Sequence, residues 1–164
     1  MTRILVAIGF AVALCVAPQV AAAAPPQSVT ITTTFIGAGD LSSGTTSGTF
    51  CATGAFVACG TLNGDYRFAG LGHLKTGDPN SIHSDQTLVG ANGTISLSID
   101  GLYGPFVNGV TTGSGRWVIV GATGTYEGLH GEGSWTATAD FTAAFLGLGP
   151  PVVQHIDIGQ VHRD

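Results

Sequence analysis

Charge is scarce in this sequence. Of 164 residues only 5 are Lys or Arg and 10 are Asp or Glu, for a formal net charge of −5. The few cations are scattered, so there is no basic stripe of the kind that grips a nucleic acid backbone and no polybasic cluster for anionic lipid. Nucleic acid is therefore not an expected partner. The short motifs of cofactor chemistry are missing as well. No G-x-x-x-x-G-K-[ST] loop and no dinucleotide fingerprint occurs, and no serine sits in a G-x-S-x-G elbow. No cofactor is expected. No long stretch keeps a helical period, which leaves strands as the main building element.

One long apolar run does occur, at the N-terminus. Arg3 precedes the uncharged segment Ile4–Ala17, Pro18 interrupts it, and Ala21-Ala22-Ala23-Ala24 offers the small residues that a signal peptidase reads. The run is shorter than the roughly 20 residues that a spanning helix needs. Residues 1–23 are thus expected to be a signal peptide cleaved near Ala23, leaving residues 24–27 as an extended leader and 28–164 as one domain with no membrane span. The mature chain would be secreted or held in the cell envelope. Cleavage takes away Arg3 and no acid, which moves the formal charge from −5 to −6. It also takes away Cys15, one of 3 cysteines. An even pair in an exported chain points to a disulfide, here Cys51 with Cys59.

Glycine is abundant, at 26 residues, without a Gly-X-Y period. The glycines punctuate short runs rich in Thr, Val, Ile and aromatics, as tight turns punctuate strands. Ser28 to Phe35 places Val29, Ile31, Thr33 and Phe35 on one face and Thr30, Thr32 and Thr34 on the other. Further strands are expected at 45–53, 57–68, 82–89, 94–103, 115–120, 131–141 and 152–161, with Ala91-Asn92-Gly93 as a hairpin turn. Eight strands with short connections predict an all-β, eight-stranded antiparallel up-and-down barrel, with room inside for side chains or one small ligand. A two-sheet β-sandwich fits the same pattern.

The most specific stretch is Gly121-Ala-Thr-Gly124-Thr-Tyr126-Glu-Gly128-Leu-His-Gly131-Glu-Gly133, entered from the strand that holds Trp117. Its glycines permit sharp turns while Tyr126 and Leu129 plug the barrel end. This stretch, followed by Thr136 to Phe145, resembles the glycine-rich turn and late strands of the allene oxide cyclase-like and dirigent-like barrel superfamily, including its small exported bacterial members. Ser47 to Gly54 is a weaker match. The resemblance covers roughly residues 110–145 and implies a barrel that holds an apolar or phenolic small molecule. In some members of that superfamily such a cavity guides cyclisation or radical coupling. The glycine motif carries no catalytic group to transfer.

The aromatic residues expected at a ligand are Tyr66, Phe68, Trp117, Tyr126 and Trp135. Arg67 is the polar candidate on the third strand, though alternation turns it outward and makes an ion pair with Asp65 the plainer expectation. Glu127, His130 and Glu132 cluster at the glycine turn and have the groups for acid–base work. Their spacing alone does not make a metal site, and solvated loop charges are the simpler expectation. His73 and His83 flank a long polar loop near Asp78 and Asp85. On the last strand Ile156 and Ile158 are expected to face inward, which would turn His155 and Asp157 outward. Binding ranks ahead of an isomerase or cyclase activity, and a structural envelope domain is the third alternative.

Overall fold

The computed structural model describes residues 24–40, 42–69 and 80–164. The expected signal peptide with Cys15, and His73 and Asp78, lie outside the described residues. Eight strands run in chain order: β1 Gln27–Gly39, β2 Ser43–Gly54, β3 Ala58–Ala69, β4 Asn80–Gly90, β5 Gly93–Tyr103, β6 Val110–Ala122, β7 Leu129–Asp140 and β8 Val152–Arg163. Each pairs antiparallel with the next, and β8 returns to β1, so the sheet closes into a barrel without free edges. This settles the architecture in favour of the up-and-down barrel over the sandwich.

Alternation explains most of the strands. In β1, Val29, Ile31, Thr33 and Phe35 point into the barrel while the threonines between them face solvent. The strand extends past Phe35 to Gly39, because Ile36 to Gly39 keep pairing with Gly44 to Ser47 and with Val152. β6 likewise starts at Val110 rather than near Gly115, since Val110 to Ser114 pair with Thr136 to Asp140. A single helical turn, α1 Thr142–Phe145, follows β7.

The glycines inside strands have a packing role. Gly101, Gly115, Trp135 and Asp157 form one row across β5, β6, β7 and β8. The Trp135 indole lies over the two glycines, where a Cβ on either would collide with the ring, and its N–H donates to the Asp100 carbonyl at 3.0 Å. Trp117, Gly133 and Gly159 form a second row. There the indole lies toward β8, against Gly159, and donates to the Ser134 carbonyl at 3.2 Å. Close packing of this kind leaves no space for an added methyl group.

Cys51 and Cys59 face each other across β2 and β3 with Cα atoms 4.1 Å apart, at disulfide distance. At the glycine turn, Gly124 (φ 64°) and Gly128 (φ 73°) occupy the left-handed region. Tyr126 between them and Leu129 just after them fold inward and are buried. With Phe56, whose ring centroid is 5.4 Å from that of Tyr126, they close the interior at this end, and a cleft outside this plug is lined by Phe56, Leu129 and Arg163.

Candidate functional site

The opposite end is not filled by the described residues. A cavity of about 50 Å3 lies inside it. A single water needs roughly 10–15 Å3, so the enclosed space takes several waters or one ring of a molecule whose remainder sits in the open mouth. Its walls are Phe35, Tyr66, Phe68, Tyr103, Trp135 and Phe141. The rings pack in a chain: Tyr66 with Phe68 at 5.8 Å between centroids, Phe68 with Tyr103 at 5.8 Å, Tyr103 with Trp135 at 5.7 Å, and Trp135 with His155 at 4.7 Å. Near the rim, Phe106 packs on Phe141 and Phe145.

Polar groups interrupt these walls: Thr46, Ser84, Gln86 and His155. Ser84 donates its hydroxyl hydrogen to the Asp65 carbonyl at 2.6 Å. The Thr46 hydroxyl and the Gln86 side-chain carbonyl are buried without a hydrogen-bond partner among the described residues. At the mouth, Tyr66 donates its hydroxyl to the Asp40 carbonyl at 2.7 Å. The Asp40 carboxylate accepts from the Ser42 backbone and side chain and from the Ser43 backbone, and these bonds, the Ser42 side chain first, hold it below the usual carboxylate range. Burial, and then the nearby Asp40 charge, push the Tyr66 phenol up. Burial raises the Tyr103 phenol much further. Both phenols are therefore protonated donors at neutral pH.

The last strand requires a correction. Ile156 and Ile158 are on the outer face, 42% and 58% exposed, whereas His155 and Asp157 are inside, 3% and 0% exposed. Val153, Gly159 and Val161 share the inward phase. Both phases of β8 carry apolar side chains, and pairing with β1 and β7 decides between them: Thr33 and Ala137 flank His155, and Ile31 and Trp135 flank Asp157, all inward. The in-phase residues Val153 and Val161 were the sequence signal for this arrangement. His155 Nδ1 is 3.3 Å from Asp157 Oδ1. The two are within ion-pair reach but are not aligned as a hydrogen bond, and neither carboxylate oxygen has a partner among the described residues.

Of the aromatic residues singled out from sequence, Tyr66, Phe68 and Trp135 line the cavity, while Trp117 and Tyr126 are buried outside its lining. Arg67 is exposed on the outer face of β3. Glu127, His130 and Glu132 are exposed and do not converge. His130 Nε2 lies 2.9 Å from Asp164, and Glu132 lies 3.8 Å from Arg116. Among the described residues no three His, Cys, Asp or Glu side chains are grouped to hold a metal. His83 sits on the outer surface between Asp100, 2.8 Å from Nδ1, and Asp85, 3.4 Å from Nε2. Comparison with protein-family models, with curated proteins and with solved structures finds no match for this chain.

Proposed function

We propose that this protein is an exported binding barrel that takes a small, flat apolar or phenolic molecule at its Tyr66–Phe141 end. The observation that carries the proposal is the unfilled, aromatic-walled cavity with a few polar groups, the usual form of a small-molecule site. A barrel serving only as a scaffold would gain stability by packing that space solid. The glycine-rich stretch 121–133 supports placing the chain with the allene oxide cyclase-like and dirigent-like barrels. The N-terminal pattern and the cysteine pair support an extracytoplasmic site of action.

The experiment is a titration of the exported chain with N-phenyl-1-naphthylamine, a neutral dye whose emission rises in apolar surroundings. Saturable one-to-one binding is expected, weakened at least about tenfold by Ser84→Phe, which fills the cavity. Binding that Ser84→Phe leaves unchanged would place the dye elsewhere and end this reading. An isomerase or cyclase is the second reading, favoured by the imidazole that His155 brings to the cavity wall.

A further inference from the structure

His155 and Asp157 are costly residues to place in a barrel core. A buried carboxylate without hydrogen bonds opposes folding, and an apolar pair of similar volume would serve the fold at least as well. Their arrangement is polarised. His155 is part of the cavity wall, while Asp157 lies behind it, outside the lining. With Nδ1 turned to Asp157, Nε2 is the ring nitrogen left for a bound molecule. A base, with an acid behind it to orient it, facing an apolar cavity is a recurrent catalytic arrangement. His155 and Tyr103 flank the Trp135 indole, at 4.7 and 5.7 Å between ring centroids. A flat molecule entering the cavity thus has a base toward one side of Trp135 and a phenol donor toward the other.

Given that the cavity takes a small apolar molecule, we propose that it catalyses proton transfer on an enolisable carbonyl compound. His155 Nε2 removes a proton from the carbon beside the carbonyl. The electron pair of that C–H bond passes into a dienolate, whose oxygen accepts a hydrogen bond from Tyr103. The imidazolium, stabilised by Asp157, then returns the same proton to the γ carbon. A β,γ-unsaturated ketone becomes its conjugated α,β isomer with no co-reactant and no net change of atoms. Neutral hydrogen-bond donors in an apolar site stabilise such an oxyanion more than they would in water. Asp157 acts as a positioning residue, since it does not touch the cavity.

The test uses 3-cyclohexen-1-one as the probe. Formation of the conjugated enone is followed by ultraviolet absorbance, and α-hydrogen exchange in D2O by NMR, with dye binding measured in parallel. The wild-type chain is expected to accelerate both processes about 100-fold or more over buffer. His155→Gln should return them to the buffer rate. Tyr103→Phe should lower kcat about 10- to 1000-fold with little change in KM, and Asp157→Asn should lower kcat more than it raises KM. Dye binding should be unchanged in Asp157→Asn, whose residue lies outside the lining, and should stay saturable with altered affinity in the two lining variants. Wild-type rates equal to those of buffer or of His155→Gln, with dye bound, would overturn the proton-transfer proposal alone. Loss of dye binding in the wild type would instead overturn the cavity reading and this proposal with it. If His155→Gln fails to fold, Tyr103→Phe decides, and unchanged turnover there overturns the proposal.

Discussion

His155 Nδ1 stands 3.3 Å from Asp157 Oδ1 within the sheet-enclosed interior, two residues apart on one strand. The pair occupies positions where stability alone would favour carbon. The double variant His155→Leu/Asp157→Leu should therefore be as stable as the parent or more stable, by up to about 4 kcal/mol. His155→Leu alone should be less stable by about 1–3 kcal/mol, because it leaves the Asp157 carboxyl without its neighbour. Urea midpoints at pH 7 measure both. A large loss in the double variant would make the pair a structural element.

The two tryptophan rows separate packing from binding. Gly101→Ala places a methyl group against the Trp135 ring, and Gly159→Ala places one against Trp117. Each should cost about 1–3 kcal/mol. Only Gly101→Ala should also weaken dye binding, since Trp135 lines the cavity and Trp117 does not. Gly121→Ala is the control. Its Cβ would meet nothing nearer than the Ser96 Cβ at 3.8 Å, so its denaturation midpoint should not fall.

The Cys51–Cys59 link closes a short loop, with a sequence separation of 8. Replacing both residues by Ala should cost about 2–3 kcal/mol on the chain-entropy view. The replacement should leave the barrel intact, because the main-chain ladder of β2 and β3 continues to Ser43 and Arg67 on either side of the hairpin. Equilibrium urea unfolding with and without reductant should show the same loss in the parent and none in the double variant.

His83 gives the surface a pH response. The hydrogen bond to Asp100 first, and Asp85 after it, hold its imidazole above the usual range against a smaller opposing effect of burial. A raised folded-state value means that its stabilisation is complete below about pH 6.5, the ordinary histidine value, and is lost as pH rises through the higher folded value. The site is largely exposed, so the difference between pH 5.5 and pH 9 should stay below about 1 kcal/mol. Asp100→Asn should remove most of it. NMR titration of His83 checks the direction.

Much of the barrel was legible because period-two alternation is a local property. Val29 to Phe35, Ile95 to Ile99 and Trp135 to Phe141 each announce an inward face without reference to a neighbour. The strand ends at Gly39 and Val110 were not legible, since only cross-strand partners define them. β8 was ambiguous for a physical reason. Apolar side chains stand on both of its faces, so hydrophobicity cannot choose the phase, and a one-residue slip reverses every side chain. The polar part of the site was hidden by that ambiguity. Ser84 and Gln86 were hidden in the same way, on a strand whose inward face mixes polar residues with Leu88. Tyr66, Phe68 and Trp135 were recognisable as inward aromatics, but which barrel end stays open depends on how Phe56, Tyr126 and Leu129 fill the other.

On the proposed function, one end of the barrel receives a ligand and the other does not. The two indole N–H signals of the 15N-labelled chain report on the two positions independently, because Trp135 is at the cavity and Trp117 is in the packed row beyond it. Titration with N-phenyl-1-naphthylamine should shift the Trp135 signal saturably, together with the His155 ring resonances, and leave the Trp117 signal in place. Saturable binding that moves Trp117 while Trp135 and His155 stay fixed, or that moves none of the three, would contradict the account.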